Sequence, residues 1–104
     1  MSEPARTVHS WEMSLDRAAF LRLLPAAMDQ AEFHREETPD GGAVLVHREA
    51  GRGWRIRLAP LPPLRLGAVT LDRLRVDLDL EGYAPEEADG LVDRFLLHFQ
   101  RGGG

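Results

Sequence analysis

The chain has 104 residues, a net charge of −4 and no cysteine. That length suits one hydrophobic core and is too short for two, and a domain of this size folds without a metal or disulfide staple. The missing thiols exclude disulfides, thiolate zinc centres, iron–sulfur clusters and cysteine nucleophiles, and no apolar run approaches the roughly 20 residues that span a bilayer.

The stretch after Met1 lacks the basic start and apolar core of a signal peptide, so a cytoplasmic location and no membrane partner are expected. All 13 basic residues are arginine, and lysine and asparagine are absent. A replacement so complete reads as the codon bias of a GC-rich bacterial genome rather than as local selection for guanidinium groups. Charge is divided along the chain: residues 1–47 carry a net −4, residues 48–75 a net +5 and residues 76–104 a net −5.

Thr7 to Met13 reads as a first strand. A helix follows, with Ser14 as its N-cap, Asp16 in its first turn, and Leu15, Ala19, Phe20 and Leu23 on its apolar side. Pro25 should stop or kink it. A meander of three strands is expected next. Ala31–Glu36 leads into the turn Thr38-Pro39-Asp40-Gly41-Gly42, Ala43–Arg48 runs to Gly51-Arg52-Gly53, and Trp54–Ala59 returns. In the last of these, Trp54, Ile56 and Leu58 alternate with Arg55 and Arg57, giving one apolar and one cationic face.

Pro60-Leu61-Pro62-Pro63 is expected to break the sheet, because proline has no N–H to give to a ladder. Arg73–Glu81 then shows the strictest alternation in the chain. Leu74, Val76, Leu78 and Leu80 point one way, and Arg73, Arg75, Asp77, Asp79 and Glu81 the other, as in an antiparallel sheet with one wet face. The last helix opens with Pro85, Glu86 and Glu87, and its stripe is Ala88, Leu91, Val92, Phe95, Leu96 and Phe99. Gly90 interrupts it and reads as a close approach to the sheet.

The order β-α-β-β-β-β-α, with one apolar face per element, predicts an α+β two-layer sandwich: a mostly antiparallel sheet of four to five strands with two helices on one face. Residues 1–104 form one domain, with loose ends expected at 1–6 and 102–104.

The wet sheet face is the richest candidate surface. If the two alternating strands are neighbours, Arg55, Arg57, Arg73, Arg75, Asp77 and Asp79 make a cross-strand ion-pair ladder. The competing reading is a guanidinium cluster for a phosphate, a carboxylate or an acidic segment. Nucleic acid is not expected, since acidic ends flank the basic middle, only Trp54 lies near it for stacking, and no known nucleic-acid-binding pattern is present. His9, His34, His47 and His98 are scattered without metal-ligand spacing, the three serines form no nucleophile elbow, and the glycines match no phosphate loop. No metal or cofactor is therefore expected. Pro60-Leu61-Pro62-Pro63-Leu64-Arg65 has the form of a polyproline ligand but reads as a rigid crossover.

Arg101 followed by Gly102-Gly103-Gly104 resembles the tail of ubiquitin-like sulfur carriers, whose terminal carboxylate is activated by a partner enzyme. The resemblance covers these last residues alone, and a helix stands here where those carriers have a strand. The function expected from the residues themselves is a protein-interaction module without catalytic activity, acting by self-association or by docking on a larger protein. Its contact residues would be Arg55, Arg57, Arg73 and Arg75, with Trp54 as an aromatic anchor. The alternative is an anionic-ligand-binding domain or small enzyme that uses the arginine face or a pocket between helices and sheet.

Overall fold

The computed structural model describes residues 6–102. Its elements are β1 (Arg6–Met13), α1 (Arg17–Ala27), β2 (His34–Glu37), β3 (Ala43–Glu49), β4 (Arg52–Leu66), β5 (Val69–Glu81) and α2 (Pro85–Gly102). The five strands form one antiparallel sheet in the order β1-β5-β4-β3-β2. This is the α+β order read from the sequence.

Period-two alternation decides the layers. Leu74, Val76, Leu78 and Leu80 of β5 are almost completely buried, as are Trp54, Ile56 and Leu58 of β4 and Ala43 and Leu45 of β3. They meet Phe20, Leu24 and Ala27 of α1 and Ala88, Leu91, Phe95 and Phe99 of α2 in one continuous core. Val92 and Leu96 pack at its margin. Stacked and tilted rings join the layers: Phe95 lies 5.4 Å from Trp11, 6.1 Å from Phe20 and 4.7 Å from Phe99.

Asp16, not Ser14, caps α1. Its carboxylate accepts the Ala19 amide at 2.8 Å. Leu15 and Phe20, flanking the cap at the positions of a hydrophobic staple, are both buried, and this fixes where the chain enters the helix. Helix α1 runs two residues past Pro25, to Ala27, before Asp29 and Gln30 reverse the chain with positive φ. The start of α2 is as expected: Pro85 takes the first position, and Glu87 reaches back to accept the Ala84 amide at 3.2 Å. The turn after β2 also forms as read, with the Gly41 amide donating to the Thr38 carbonyl at 3.1 Å and the Gly42 amide to the Asp40 carboxylate at 3.0 Å. Strand β2 begins at His34, three residues later than expected.

The prolines after Ala59 do not break the sheet. Strand β4 continues to Leu66 and pairs with β5 throughout, with a bulge between Leu61 and Leu64. Leu61 faces Arg73 and Leu64 faces Leu71, so Pro62 and Pro63 together oppose Asp72, two residues against one. Strand β3 reaches only as far as Leu58 and β1 only as far as Leu74. Beyond those pairs neither outer edge of the β4–β5 hairpin is paired with a strand among the described residues, and proline is tolerated where no neighbouring strand needs its N–H. The result is a two-stranded arm closed by Gly67 and Ala68, with Gly67 at φ +63°. It contributes to a molecule of 55 × 29 × 25 Å.

Of the loose ends expected at 1–6 and 102–104, residues 1–5, 103 and 104 lie outside the described residues. Arg6 opens β1 and Gly102 closes α2.

Candidate interaction surface

The sheet face away from the helices is assembled from every second residue of five strands. Strand pairing places Val46, Arg55, Asp79 and Val8 in one row across it, and Val44, Arg57, Asp77 and Ser10 in the next. Glu12 and Arg75 follow, then Leu61 and Arg73. Arg55, Arg57, Arg73 and Arg75 therefore do share one surface, and β4 and β5 are neighbours.

Their partners differ from a simple β4–β5 ladder. Arg6 of β1 holds Asp79 through its Nε and Nη2, the latter at 2.5 Å. The Ser10 hydroxyl donates to Asp77 at 2.6 Å, and Arg75 reaches the same carboxylate at 3.3 Å. Arg73 pairs with Glu12 of β1 at 2.7 Å. With Asp77 and Asp79 engaged from β1 and β5, exposed Arg55 and Arg57 have no carboxylate within ion-pair distance among the described residues. On this face Glu12 of the acidic N-terminal segment thus neutralises Arg73 of the basic middle through strand pairing. The guanidinium groups of Arg55 and Arg57 are left without such a partner.

Trp54 is not on this surface. It belongs to the helix side of β4, is 3% exposed, and lies between Phe33 at 5.8 Å and His47 at 5.4 Å. Trp11, on the same side of β1, is half-buried and stacks on His9 at 5.7 Å. The four histidines remain apart: His9 is in β1, His34 in β2, His47 in β3 and His98 in α2. Among the described residues no group of three or more His, Asp or Glu side chains is placed to hold a metal ion.

A hollow of about 490 Å³ opens where β3 turns into β4. Arg6, Arg48, Arg52 and Arg55 line it together with Glu49, Asp79 and Glu81. Gly53 forms part of its floor, and the backbone approaches so closely there that a Cβ would lie 2.4 Å from the His47 carbonyl oxygen. Arg52 is bound into the wall by Glu49 at 2.8 Å and Glu87 at 2.6 Å, with its guanidinium 5.2 Å from the Tyr83 ring centre. These acids hold the Arg52 proton more tightly than usual. Burial, first, and the nearby Glu49 charge raise the Tyr83 hydroxyl above its ordinary value.

The feature that sequence reasoning missed is the arm. Leu64 faces Leu71 and Leu66 faces Val69, so these four side chains share one side of the ribbon. Alternation along β5 makes that side the one carrying Arg73 and Arg75, and Leu61 lies there too. Leu64 is 44% exposed, Leu66 56% and Val69 54%. The opposite side of the arm carries Arg65, Thr70 and Asp72. The signal was present as Leu64-Arg65-Leu66 and Val69-Thr70-Leu71 about a Gly67-Ala68 turn, a hairpin pattern that the preceding prolines obscured.

No family model matches the chain, and no curated protein or solved structure does either. No helix among the described residues is long and apolar enough to cross a membrane.

Proposed function

We propose that the domain is a protein-interaction module, with no catalytic activity of its own, that docks on a partner through the β4–β5 arm and the adjoining arginine face. The observation that carries this reading is the apolar side of the arm. Leu64, Leu66 and Val69 project on a ribbon that neither helix covers, and a side chain of this kind is stabilised by burial at about 25 cal/mol per Å² of apolar surface. Farther along the same face, beyond Arg73 and Arg75, Arg55 and Arg57 have no carboxylate within ion-pair distance among the described residues. The partner this combination fits is an extended protein surface that is apolar at one end and acidic toward the other.

The test compares recovery of partners by the native chain and by a Leu64→Ser, Leu66→Ser, Val69→Ser variant, with far-UV circular dichroism as the folding control. A protein recovered in stoichiometric amount by the first and lost with the second supports docking by the arm. Equal recovery by both, or none by either, rules it out.

A second reading rests on the hollow at the β3–β4 turn, where Arg6 and Arg52 are held by acids but Arg48 and Arg55 have no carboxylate within ion-pair distance among the described residues and favour a small anion such as a phosphate or carboxylate. Calorimetric titration with inorganic phosphate checks it: heat that disappears in Arg55→Glu supports an anion site, and no heat in the native chain removes it. The terminal-glycine resemblance concerns Gly103 and Gly104, which lie outside the described residues.

A further inference from the structure

We propose that β1 is a homodimerisation edge, on which a second copy of this chain adds its own β1 antiparallel across a two-fold axis at His9.

The two edges of the sheet are built differently. The β2 edge is four residues long, His34, Arg35, Glu36 and Glu37, all exposed and all polar or charged. Short and charged edges of this kind resist strand addition. The β1 edge has eight residues, Arg6 to Met13, with no proline, no glycine and an uninterrupted register against β5. Among the described residues no strand pairs with its outer N–H and C=O groups, which can accept another strand.

Charge then selects both the partner and the register. Arg6 and Glu12 are the only charged residues of β1 apart from His9, they have opposite sign, and both lie on the face away from the helices. An axis through His9 places Arg6 opposite the partner's Glu12, and Glu12 opposite the partner's Arg6. Moving the axis one residue either way separates both pairs. Each group already has a mate within its own chain, Asp79 for Arg6 and Arg73 for Glu12. Across the junction the charges therefore run Asp79, Arg6, the partner's Glu12, the partner's Arg73, alternating in sign, and the same row recurs on the other side of the axis. Exposed Val8 comes to face the partner's Ser10. On the helix side, half-buried Trp11 comes to face the partner's Thr7, which covers an aromatic that the monomer leaves partly in water.

The product is a ten-stranded sheet with one continuous outer face. This inference concerns β1 and does not depend on the arm, so its failure and that of the docking reading are separable.

Sedimentation velocity on the native chain and two charge reversals tests it. The native chain is expected at twice its 11.6 kDa mass. Arg6→Glu alone and Glu12→Arg alone each set like charges against each other twice and should weaken association roughly a hundred-fold or more. An equimolar mixture of the two variants pairs every Glu with an Arg and should restore the dimer, which also shows that both variants are folded. A native chain that stays monomeric overturns the proposal. So does a native dimer that both reversals leave intact, or a mixture that does not recover.

Discussion

Gly90 lies on the outer side of α2, where an added methyl group would find nothing within 4 Å. The sequence suggested a close approach to the sheet at this position, and the helix instead turns the glycine to water. It therefore costs the helix conformational entropy without a packing return. Gly90→Ala should raise stability by about 0.5–1 kcal/mol, read as a higher urea midpoint at unchanged slope. A lower midpoint would mean that the position is not open. Other single residues were harder to read, because their roles depend on register. The alternation of Trp54 with Arg55 and Arg57 told which side each occupies. It could not tell that Asp79 would be engaged by Arg6, since that pair forms between residues 73 positions apart, brought together only by the β1–β5 ladder.

Among the elements, β5 and α2 were plain from periodicity alone, while the β4–β5 arm was not. Proline argues against a central strand, and that rule holds only where a neighbour needs the missing N–H. Past Leu58 and Leu74 no third strand among the described residues needs it. The same geometry sets the arm's dynamics. A lone two-stranded ribbon is marginally stable in water, and the arm has no helix on either side. By native-state hydrogen exchange, amides of residues 64–71 should exchange at least about 100-fold faster than those of residues 74–80, because the former open locally and the latter only with the core. Equal protection in the two stretches would show that the arm is held by something else, and a partner strand would be the first candidate.

For the whole molecule, the two-layer arrangement was readable because each element has one apolar face, and a count of faces permits few packings. Strand order was only partly readable, since β2 to β5 pair in chain order whereas β1 joins β5 from the far end of the chain, a pairing that local periodicity does not encode. The acids that join the parts predict how the fold responds to pH. Glu37 is held below the usual carboxylate range, chiefly by its bond from Arg35, and also pairs with Arg17, which ties β2 to α1. Asp40 is lowered by the Thr38 hydroxyl and the Gly42 amide, and Glu87 by the Ala84 amide and Arg52, which ties α2 to β4. A carboxylate with a depressed native pKa contributes stability above its unfolded value and loses it as pH falls through the native one. Thermal melts should therefore give a nearly constant Tm from pH 7 to about 5 and a falling Tm below about pH 4. A Tm that rose on acidification would contradict the pairing of these groups.

The bulge at Pro62 and Pro63 has an effect that no substitution reproduces. Counting from the core, Leu64 and Leu66 belong to the phase of Ile56 and Leu58, and only the extra residue shifts them to the side of Leu71 and Val69. Forcing both prolines into a regular ladder would set Leu64 opposite Thr70 and divide the four apolar side chains between the two sides of the ribbon. Removing one proline would instead straighten the ribbon and keep Leu64 facing Leu71, because a single residue would then stand against Asp72. What gathers the arm's greasy surface onto one side is thus the two-against-one count at Asp72.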